Sequence, residues 1–437
     1  MRASPKALLA VLWLTWLQRV AGIWKLFDFV RNRKGAWGSN SNVPFRKISP
    51  RAGNGPVSVK NGSQFGVSMA NLGDLDGDGV DDLVVGAPGE TNKFIDPHTL
   101  NSTIQTRSGA VYVLFMSKNG TAKSSTRIGS LSNGGPPLYY QDEFGFSVSA
   151  LGDLDGDGVL DMAVGAPGQY VSSVYVFFLF PNGSAKSYTL IRGQYTGTVQ
   201  IRRRPDGSWP NNTYVPNGPP LTYSSRLGTA MTTIGDWDKD GIPDFAVSVN
   251  HVAGGKCSVY LMFMFQNGTV KSYLELGVGI NGGPKIPDAF SSFGTSILLM
   301  PDHDNDGTPE LVIGAKYLDD RDTSHFRSGV LFFCFMAPNG TIKHYTRLSE
   351  LADAKGPGGA LPLTADDNCG SGLAFIGDIN KDNMRQHWPT LLSPKAKTRP
   401  SVNDLVIGCP QSNTQAGKGR MFSKSCFHAR AHCSAFG

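Results

Sequence analysis

The chain has 437 residues but carries little charge and few cysteines for its size. Asp, Glu, Lys and Arg make up 17% of it, and the formal net charge is only +6. The one compact basic run, residues 202–204, stands alone, so nucleic-acid binding is not expected. None of the six cysteines lies in the first half, so no disulfide framework is expected to hold the fold, although one or two bridges near the end are compatible with the spacing.

Long apolar runs are also lacking after the amino terminus. Residues 1–22 combine a positively charged start, an apolar stretch from Ala7 to Leu17 and small residues up to Gly22. This order is typical of a secretory signal peptide, and the stretch is too short to span about 30 Å of hydrocarbon. No later segment reaches about 18 apolar residues. We therefore expect a secreted or extracellular chain with no transmembrane segment.

Motifs that carry enzyme chemistry are missing as well. The chain contains no G-x-S-x-G, no H-E-x-x-H and no phosphate-binding loop. Its many carboxylates could imitate the acid pair of a glycosidase, but their regular spacing has another explanation given below. The sequence therefore predicts a protein that is not an enzyme.

The chain does contain one acidic pattern written five times. The copies begin at intervals of 66 to 83 residues and read DLDGDGVDD, DLDGDGVLD, DWDKDGIPD, DHDNDGTPE and DINKDN, from Asp74, Asp153, Asp236, Asp302 and Asp378. An apolar residue followed by Gly, such as Phe65-Gly66, stands nine residues before each copy, with Cys369 in that place in the last. After each of the first two copies comes a short apolar strand that ends in Gly-Ala-Pro, and this ending is weakened in the other three. Such repetition indicates successive units of supersecondary structure.

Each of the first four units continues with a second, longer apolar run. VYVLFM, VYVFFLF, VYLMFMF and VLFFCFM are each followed closely by Asn-Gly, which is a strong hairpin signal. Strands this apolar need cover on both faces. The blades of a propeller provide it, because each sheet lies between its neighbours. The predicted fold class is therefore an all-β propeller, with a linear β solenoid as the alternative.

The acidic pattern D-x-D-x-D-G-x-x-D is suited to a hard cation. Carboxylates at positions 1, 3 and 5, a carbonyl at position 7 and an acid at position 9 form the oxygen shell that Ca²⁺ prefers. The first half matches the loop of an EF-hand, but here the closing acid stands where a strand begins. Asp and Gly also favour turns, which is the alternative explanation. Four loops of identical acid spacing favour Ca²⁺, because the converging carboxylates would repel one another without it.

The predicted calcium ligands follow from this spacing. They are Asp74, Asp76, Asp78, Val80 and Asp82; Asp153, Asp155, Asp157, Val159 and Asp161; Asp236, Asp238, Asp240, Ile242 and Asp244; and Asp302, Asp304, Asp306, Thr308 and Glu310. Glu310 is longer than Asp and should alter the geometry of the fourth loop. A fifth and weaker site would join Asp378, Asn380 and Asp382 to the Val402 carbonyl and Asp404.

An aromatic-Gly pair, an acidic calcium loop and Gly-Ala-Pro in one unit resemble the FG-GAP repeats of the integrin α-chain amino-terminal β-propeller. The resemblance covers about residues 50–425. It implies four-stranded blades around a central axis, calcium loops on one face and a role in cell-surface adhesion or extracellular protein binding. Similar repeats occur as accessory domains of exported enzymes, so a non-catalytic propeller domain of a hydrolase is the alternative function. The partner would be an extracellular protein or glycan.

The resemblance also sets the predicted domain layout. A lead-in at residues 23–60 would follow the signal peptide and add outer-strand material, and the propeller would span residues 61–425, before an irregular tail at 426–437. Five motif copies are present where integrin propellers have seven blades, and the last blade looks one strand short, so the sequence does not decide whether the ring closes. No inserted, leg or membrane segment is visible, and the chain corresponds at most to the head region of an integrin α chain.

Residues 384–401 interrupt the fifth acidic loop between positions 6 and 7. They are interpreted as a translated non-coding or alternatively spliced insertion, with a functional loop as the alternative.

Seven N-x-S/T sequons complete the pattern. In an exported eukaryotic chain some of them are expected to carry glycans, while Asn-Gly turn geometry alone explains those in the repeated hairpins. They begin at Asn61, Asn101, Asn119, Asn182, Asn211, Asn267 and Asn339.

Overall fold

A computed structural model describes the repeated part of the chain. The described residues are 47–49, 54–56, 58–95, 102–168, 172–195, 218–221, 225–251, 257–286, 292–304, 306–318, 328–348, 368–375, 405–409, 420–424 and 435–436. The predicted signal peptide and the segment 384–401 lie outside them. Every regular element within these ranges is a β-strand. They include no helix that is both long and apolar enough to cross a membrane.

The first unit folds into a four-stranded antiparallel sheet. Its strands are β1 (Met69–Gly73), β2 (Asp82–Ala87), β5 (Ala110–Met116) and β6 (Ala122–Ile128), and the small hairpin of β3 (Asn92–Ile95) and β4 (Ser102–Gln105) is inserted between the middle two. The order across the sheet is β1-β2-β5-β6, so each strand pairs with the next one of this set along the chain. The acidic loop connects the first and second strands, and the Asn-Gly hairpin connects the third and fourth.

Three further units repeat this plan. The second sheet holds β7 (Ser147–Gly152), β8 (Asp161–Ala166), β9 (Ser173–Leu179) and β10 (Ala185–Ile191); the third, after the short parallel pair β11 (Gln194–Tyr195) and β12 (Pro220–Leu221), holds β13 (Ser225–Gly235), β14 (Asp244–His251), β15 (Ser258–Met264) and β16 (Val270–Gly277); the fourth holds β17 (Phe293–Met300), β18 (Glu310–Ala315), β19 (Val330–Met336) and β20 (Ile342–Leu348). The predicted order of acidic loop, short strand, long strand and Asn-Gly hairpin is thus confirmed in four repeats.

The long third strands are covered on both faces, as their continuous apolar character predicts. In β9, Tyr175 and Phe177 pack toward the first sheet, whereas Val174 and Val176 pack toward the third. The side chains alternate in direction along a strand, so an all-apolar strand has two buried faces. The hydrophobic cores therefore lie between successive sheets.

The succession of sheets is that of propeller blades. The first strands of neighbouring sheets contact each other along the whole series, β1 with β7, β7 with β13, β13 with β17 and β17 with β21 (Gly372–Phe375). The first strand of each sheet therefore lies on the side of the blade that faces the central axis of the propeller. The antiparallel order within each four-stranded sheet argues against the solenoid alternative, in which strands of successive coils run parallel.

The lead-in packs on the face of the first sheet that points away from the second sheet. Ile48 is buried, and Val59 and Phe65 pack beside it against Tyr112 and its neighbours in the first sheet. Its described residues, 47–49, 54–56 and 58–60, contain no strand. The segment therefore covers the first sheet, Ser49 lies in an isolated β-bridge, and the outer-strand material expected from the lead-in stays a prediction.

The fifth sheet differs from the prediction that its last strand is missing. It consists of β21, β22 (Leu405–Cys409), β23 (Arg420–Lys424) and β24 (Ala435–Phe436), in that order. Met421 pairs with Phe436 and Phe422 with Ala435. A pairing of two residues does not need an alternating pattern, so the irregular sequence of 426–437 concealed a short fourth strand.

Candidate metal centres

Each acidic loop is folded by its own first carboxylate. Asp74 accepts hydrogen bonds from the amides of Asp78, at 2.9 Å, and Gly79, at 2.7 Å. The amide of Val80 then donates to Asp78 at 2.9 Å. The same three bonds recur in the other loops, where the first carboxylates belong to Asp153, Asp236 and Asp302. The sequence pattern therefore encodes one backbone conformation four times.

The acid at position 9 is buried at the start of the second strand. Asp161 accepts the amide of Leu154 at 2.9 Å and the amide of Leu179, the last residue of β9, at 3.1 Å. Asp82 and Asp244 are held in the same way. This acid ties the loop to the third strand of its own sheet. Burial raises the pKa of Asp161 and of Asp244 to about 6, and raises the pKa of Asp82.

The fourth loop departs from this arrangement, as the longer acid predicts. Glu310 is 1% exposed, and its Oε2 accepts the amide of His303 at 2.8 Å. Its Oε1 is buried without a hydrogen-bond partner. Burial raises the pKa of this carboxyl to about 8. The extra methylene thus frees one oxygen that the shorter acids give to the third strand.

Carboxylate oxygens converge in all four loops. Three acids of each loop bring ligand atoms within 4.8 Å of one another: Asp74, Asp76 and Asp78; Asp153, Asp155 and Asp161; Asp236, Asp238 and Asp244; Asp302, Asp304 and Asp306. Positions 1 and 3 are common to every group, joined by position 5 or position 9. Asp378, Asn380, Asp382, Val402 and Asp404 lie outside the described residues. Converging carboxylates, together with the unpartnered Oε1 of Glu310, fit a hard divalent cation.

A lysine that the sequence did not predict reaches each of the four described loops from the Asn-Gly hairpin of the same sheet. Lys186 Nζ lies 2.7 Å from Asp155 and 2.5 Å from Asp157. Lys123, Lys271 and Lys343 contact the acids at positions 3 and 5 of their own loops in the same way. The hydrogen bond to Lys186 lowers the pKa of Asp157, and Asp155 and Asp157 raise the pKa of the lysine. The available signal was N-G-[ST]-x-K, which places the lysine four residues after Asn in all four hairpins.

At the other end of each sheet, the aromatic-Gly and Gly-Ala-Pro motifs join neighbouring blades. A Cβ on Gly86 would lie 1.9 Å from the carbonyl oxygen of Gly145, the glycine after Phe144 in the next unit. Ser68, opposite Gly86, donates to the same oxygen at 2.8 Å. The joint recurs from Ser147 to Gly228 and from Ser296 to Gly370, each at 2.7 Å. The two motifs therefore fit one sheet closely against the next.

The third unit has exchanged the residues of this joint. Ala230 takes the place of the serine, and Ser248 takes the place of the glycine. Ser248 Oγ accepts the amide of Ala230 at 2.8 Å and lies 2.7 Å from Thr229 Oγ1. The hydroxyl group is retained, but it now bonds within its own sheet.

The hairpin sequons lie at the same end of the sheets as the acidic loops. Asn182 is exposed, and its Oδ1 accepts the amide of Ser184 at 3.0 Å and its hydroxyl at 2.7 Å. The sequons of the other three hairpins share this geometry, at Asn119, Asn267 and Asn339. Asn61 is exposed, and Asn101 and Asn211 lie outside the described residues.

Cys257 and Cys334 are both buried, and Cys334 has a free thiol. Cys369 is disulfide-bonded. The disulfide of Cys369 is compatible with the expectation of one or two bridges near the end of the chain.

Comparison with known proteins identifies the same type of repeat that the sequence motifs resemble. The FG-GAP repeat model matches residues 65–114 and 144–177, which contain the first two acidic loops. The chain therefore carries FG-GAP repeats, and the resemblance drawn from its motifs is confirmed.

The curated relatives are integrin alpha chains. Integrin alpha ina-1 of Caenorhabditis elegans is 31% identical over 233 residues, 50% of this chain and 18% of the relative. Integrin alpha-6 of Gallus gallus is 30% identical over 208 residues, 48% of this chain and 16% of the relative. Integrin alpha-PS2 of Drosophila melanogaster is 36% identical over 143 residues, 30% and 9% of the two chains. The matched part thus spans less than a fifth of each of these relatives.

Proposed function

We propose that this chain is an extracellular protein-interaction module of the adhesion class, whose four acidic loops bind Ca²⁺ and whose partner is an extracellular protein or glycan. The observation that carries the proposal is the convergence of carboxylate oxygens within 4.8 Å in four loops of equal acid spacing. The relatives are integrin alpha chains, which favours adhesion over the alternative of an exported enzyme's accessory domain. The predicted signal peptide supports secretion.

The proposed role of calcium is to stabilise the fold and not to take part in a reaction. When bound, the ion supplies positive charge to carboxylates that otherwise repel one another. Asp161 and its counterparts hold the loop against the third strand through backbone amides. A filled loop would therefore fix the connection between the first two strands of a blade. Serine and glycine join neighbouring blades at the opposite end of each sheet. Rigid calcium loops at one end would help to preserve the geometry of that opposite end.

The test is a calcium titration by isothermal calorimetry on the mature chain, with thermal melts in calcium and in chelator. Uptake of about four ions and a clear loss of stability in chelator are expected. Asp76→Asn should reduce the calcium uptake of the first loop. Asp81→Asn is the matched control, because Asp81 lies in the same loop outside the predicted ligand positions and bonds Asn71 at 2.9 Å. Absence of calcium-dependent heat together with equal melts would refute the calcium part.

The adhesion part needs a separate measurement. Immobilised mature chain is tested for capture of extracellular-matrix proteins and glycans of known identity, in calcium and in chelator. Calcium-dependent capture of a defined ligand would support the proposal. Calcium-independent capture of a polymeric substrate of an exported hydrolase, without turnover by this chain, would instead favour the alternative of a non-catalytic domain of such an enzyme.

A further inference from the structure

The lysine beside each acidic loop occupies a position that the fold fixes. It is the second residue of the fourth strand in four consecutive sheets, so it follows the hairpin sequon by a constant distance. The hairpin is itself held firmly. Asn182 Oδ1 closes the turn, and the hydroxyl of Thr126 on the preceding sheet donates to the Asn182 carbonyl at 2.7 Å. The fold of the blade therefore positions the ammonium group of the lysine beside the acidic loop.

The ammonium group meets the acids that are the predicted metal ligands. Lys123 Nζ lies 2.8 Å from Asp76, Lys271 Nζ lies 2.5 Å from Asp238, and Lys343 Nζ lies 3.1 Å from Asp304. Each lysine also contacts the carboxylate at position 5 of the same loop. A cation in this place neutralises part of the repulsion between converging carboxylates, which is the effect that a bound metal would have.

We infer that Lys123, Lys186, Lys271 and Lys343 are resident counter-cations that stabilise the metal-free loops and weaken their affinity for Ca²⁺. The inference rests on the calcium binding proposed above. A carboxylate held by an ammonium group must give up or share that contact when a divalent ion binds. The lysine thus sets how much calcium a loop needs, and it keeps the loop folded when calcium is scarce.

Replacement of Lys186 by methionine separates the two effects, because methionine keeps the length of the side chain and removes its charge. In chelator, Lys186→Met should melt at a lower temperature than the wild type. In a calcium titration, the second loop of this variant should bind Ca²⁺ about fivefold more tightly. A change of this size corresponds to the free energy of a partly exposed ion pair. Replacement of all four lysines should extend the effect to every loop. Lys186→Arg keeps the charge and should resemble the wild type.

Lys93→Met is the matched control for net charge, since Lys93 lies in β3 and makes none of the ion pairs found in the described residues. If Lys186→Met does not fold, Lys186→Gln replaces it, because the amide keeps a donor without the charge.

The outcomes distinguish this inference from the proposed function. A lower melt in chelator combined with tighter calcium binding supports the inference. Calcium binding by the wild type with equal or weaker affinity in Lys186→Met would overturn the inference alone and make the lysine merely structural. No calcium uptake by the wild type would overturn the proposed calcium function and this inference together.

Discussion

Ser147 Oγ donates a hydrogen bond of 2.7 Å to the carbonyl oxygen of Gly228, across the boundary between the second and third sheets. The donor follows the Phe-Gly pair of its unit by two residues, and the acceptor is the glycine of the next such pair. The repeated motif is therefore a contact between blades, and it explains why a small residue and a hydroxyl group recur together.

The contribution of this bond can be measured directly. Ser147→Ala should lower the free energy of unfolding by about 1 kcal/mol, because a buried carbonyl loses its donor. Ser187→Ala is the control, since Ser187 is exposed on β10 of the same sheet and should change little. Equal unfolding free energies for the two variants in urea would contradict the role of the joint.

The close approach of backbones in the joint predicts a larger effect for Gly165→Ala. The added Cβ would lie 2.2 Å from the Gly228 carbonyl oxygen, so the two sheets must move apart. We expect a loss of about 1 to 3 kcal/mol. In the third sheet Ser248 already carries a Cβ at this place, so Ser248→Ala should cost only its hydrogen bonds. Calorimetric melts of both variants test the difference, and tolerance of Gly165→Ala would refute the steric argument.

The closing acid of a loop should matter even when calcium is saturating. Asp161→Ala leaves the buried amides of Leu154 and Leu179 without their acceptor, at a cost of about 3 kcal/mol. Asp161→Asn keeps a carbonyl oxygen for one of them and should cost less. A melting temperature of Asp161→Ala that equals the wild type in excess calcium would show that the carboxylate has no structural role.

Glu310 predicts a specific pH dependence of the calcium-free protein. Burial raises the pKa of this carboxyl to about 8, above its usual 4.5, so the folded state retains a proton that the unfolded state has lost. Its contribution to stability is therefore present below about pH 4.5 and is lost as the pH rises toward about 8. In chelator, Glu310→Gln should remove this component of the decline between pH 5 and pH 8, in a window set by that pKa. Parallel pH profiles of both proteins in thermal melts would contradict the prediction.

Export and glycosylation give a further prediction. Secreted from eukaryotic cells, the mature chain should begin near residue 23 and carry glycans on exposed hairpin sequons, of which Asn182 is an example. Mass spectrometry of the intact and glycosidase-treated protein measures both. Retention of residues 1–22 would refute the signal peptide, and unmodified hairpin peptides would leave turn geometry as the reason for the sequons.

The sequence by itself determined the second and third strands of the repeats, the hairpins and the acidic loops, because these depend on residues close together in the chain. Within nine residues, the pattern from Asp153 to Asp161 specifies a loop whose first carboxylate binds its own backbone amides. Continuous apolar runs such as β9 indicated sheets buried on both faces. The short strand β24 escaped detection because two paired residues leave no periodic signal.

The tertiary structure alone decided how the repeats contact one another and what surrounds each loop. Ser68 and Gly145 are 77 positions apart, and Lys123 and Asp78 are 45 apart, so no local pattern joins them. The same holds for Asp161, whose bond to Leu179 requires the third strand to end beside the second. Packing of one sheet against the next creates the Ser68–Gly145 contact. The other two contacts form within a single sheet, where strand pairing brings together residues that lie 45 and 18 positions apart in the chain.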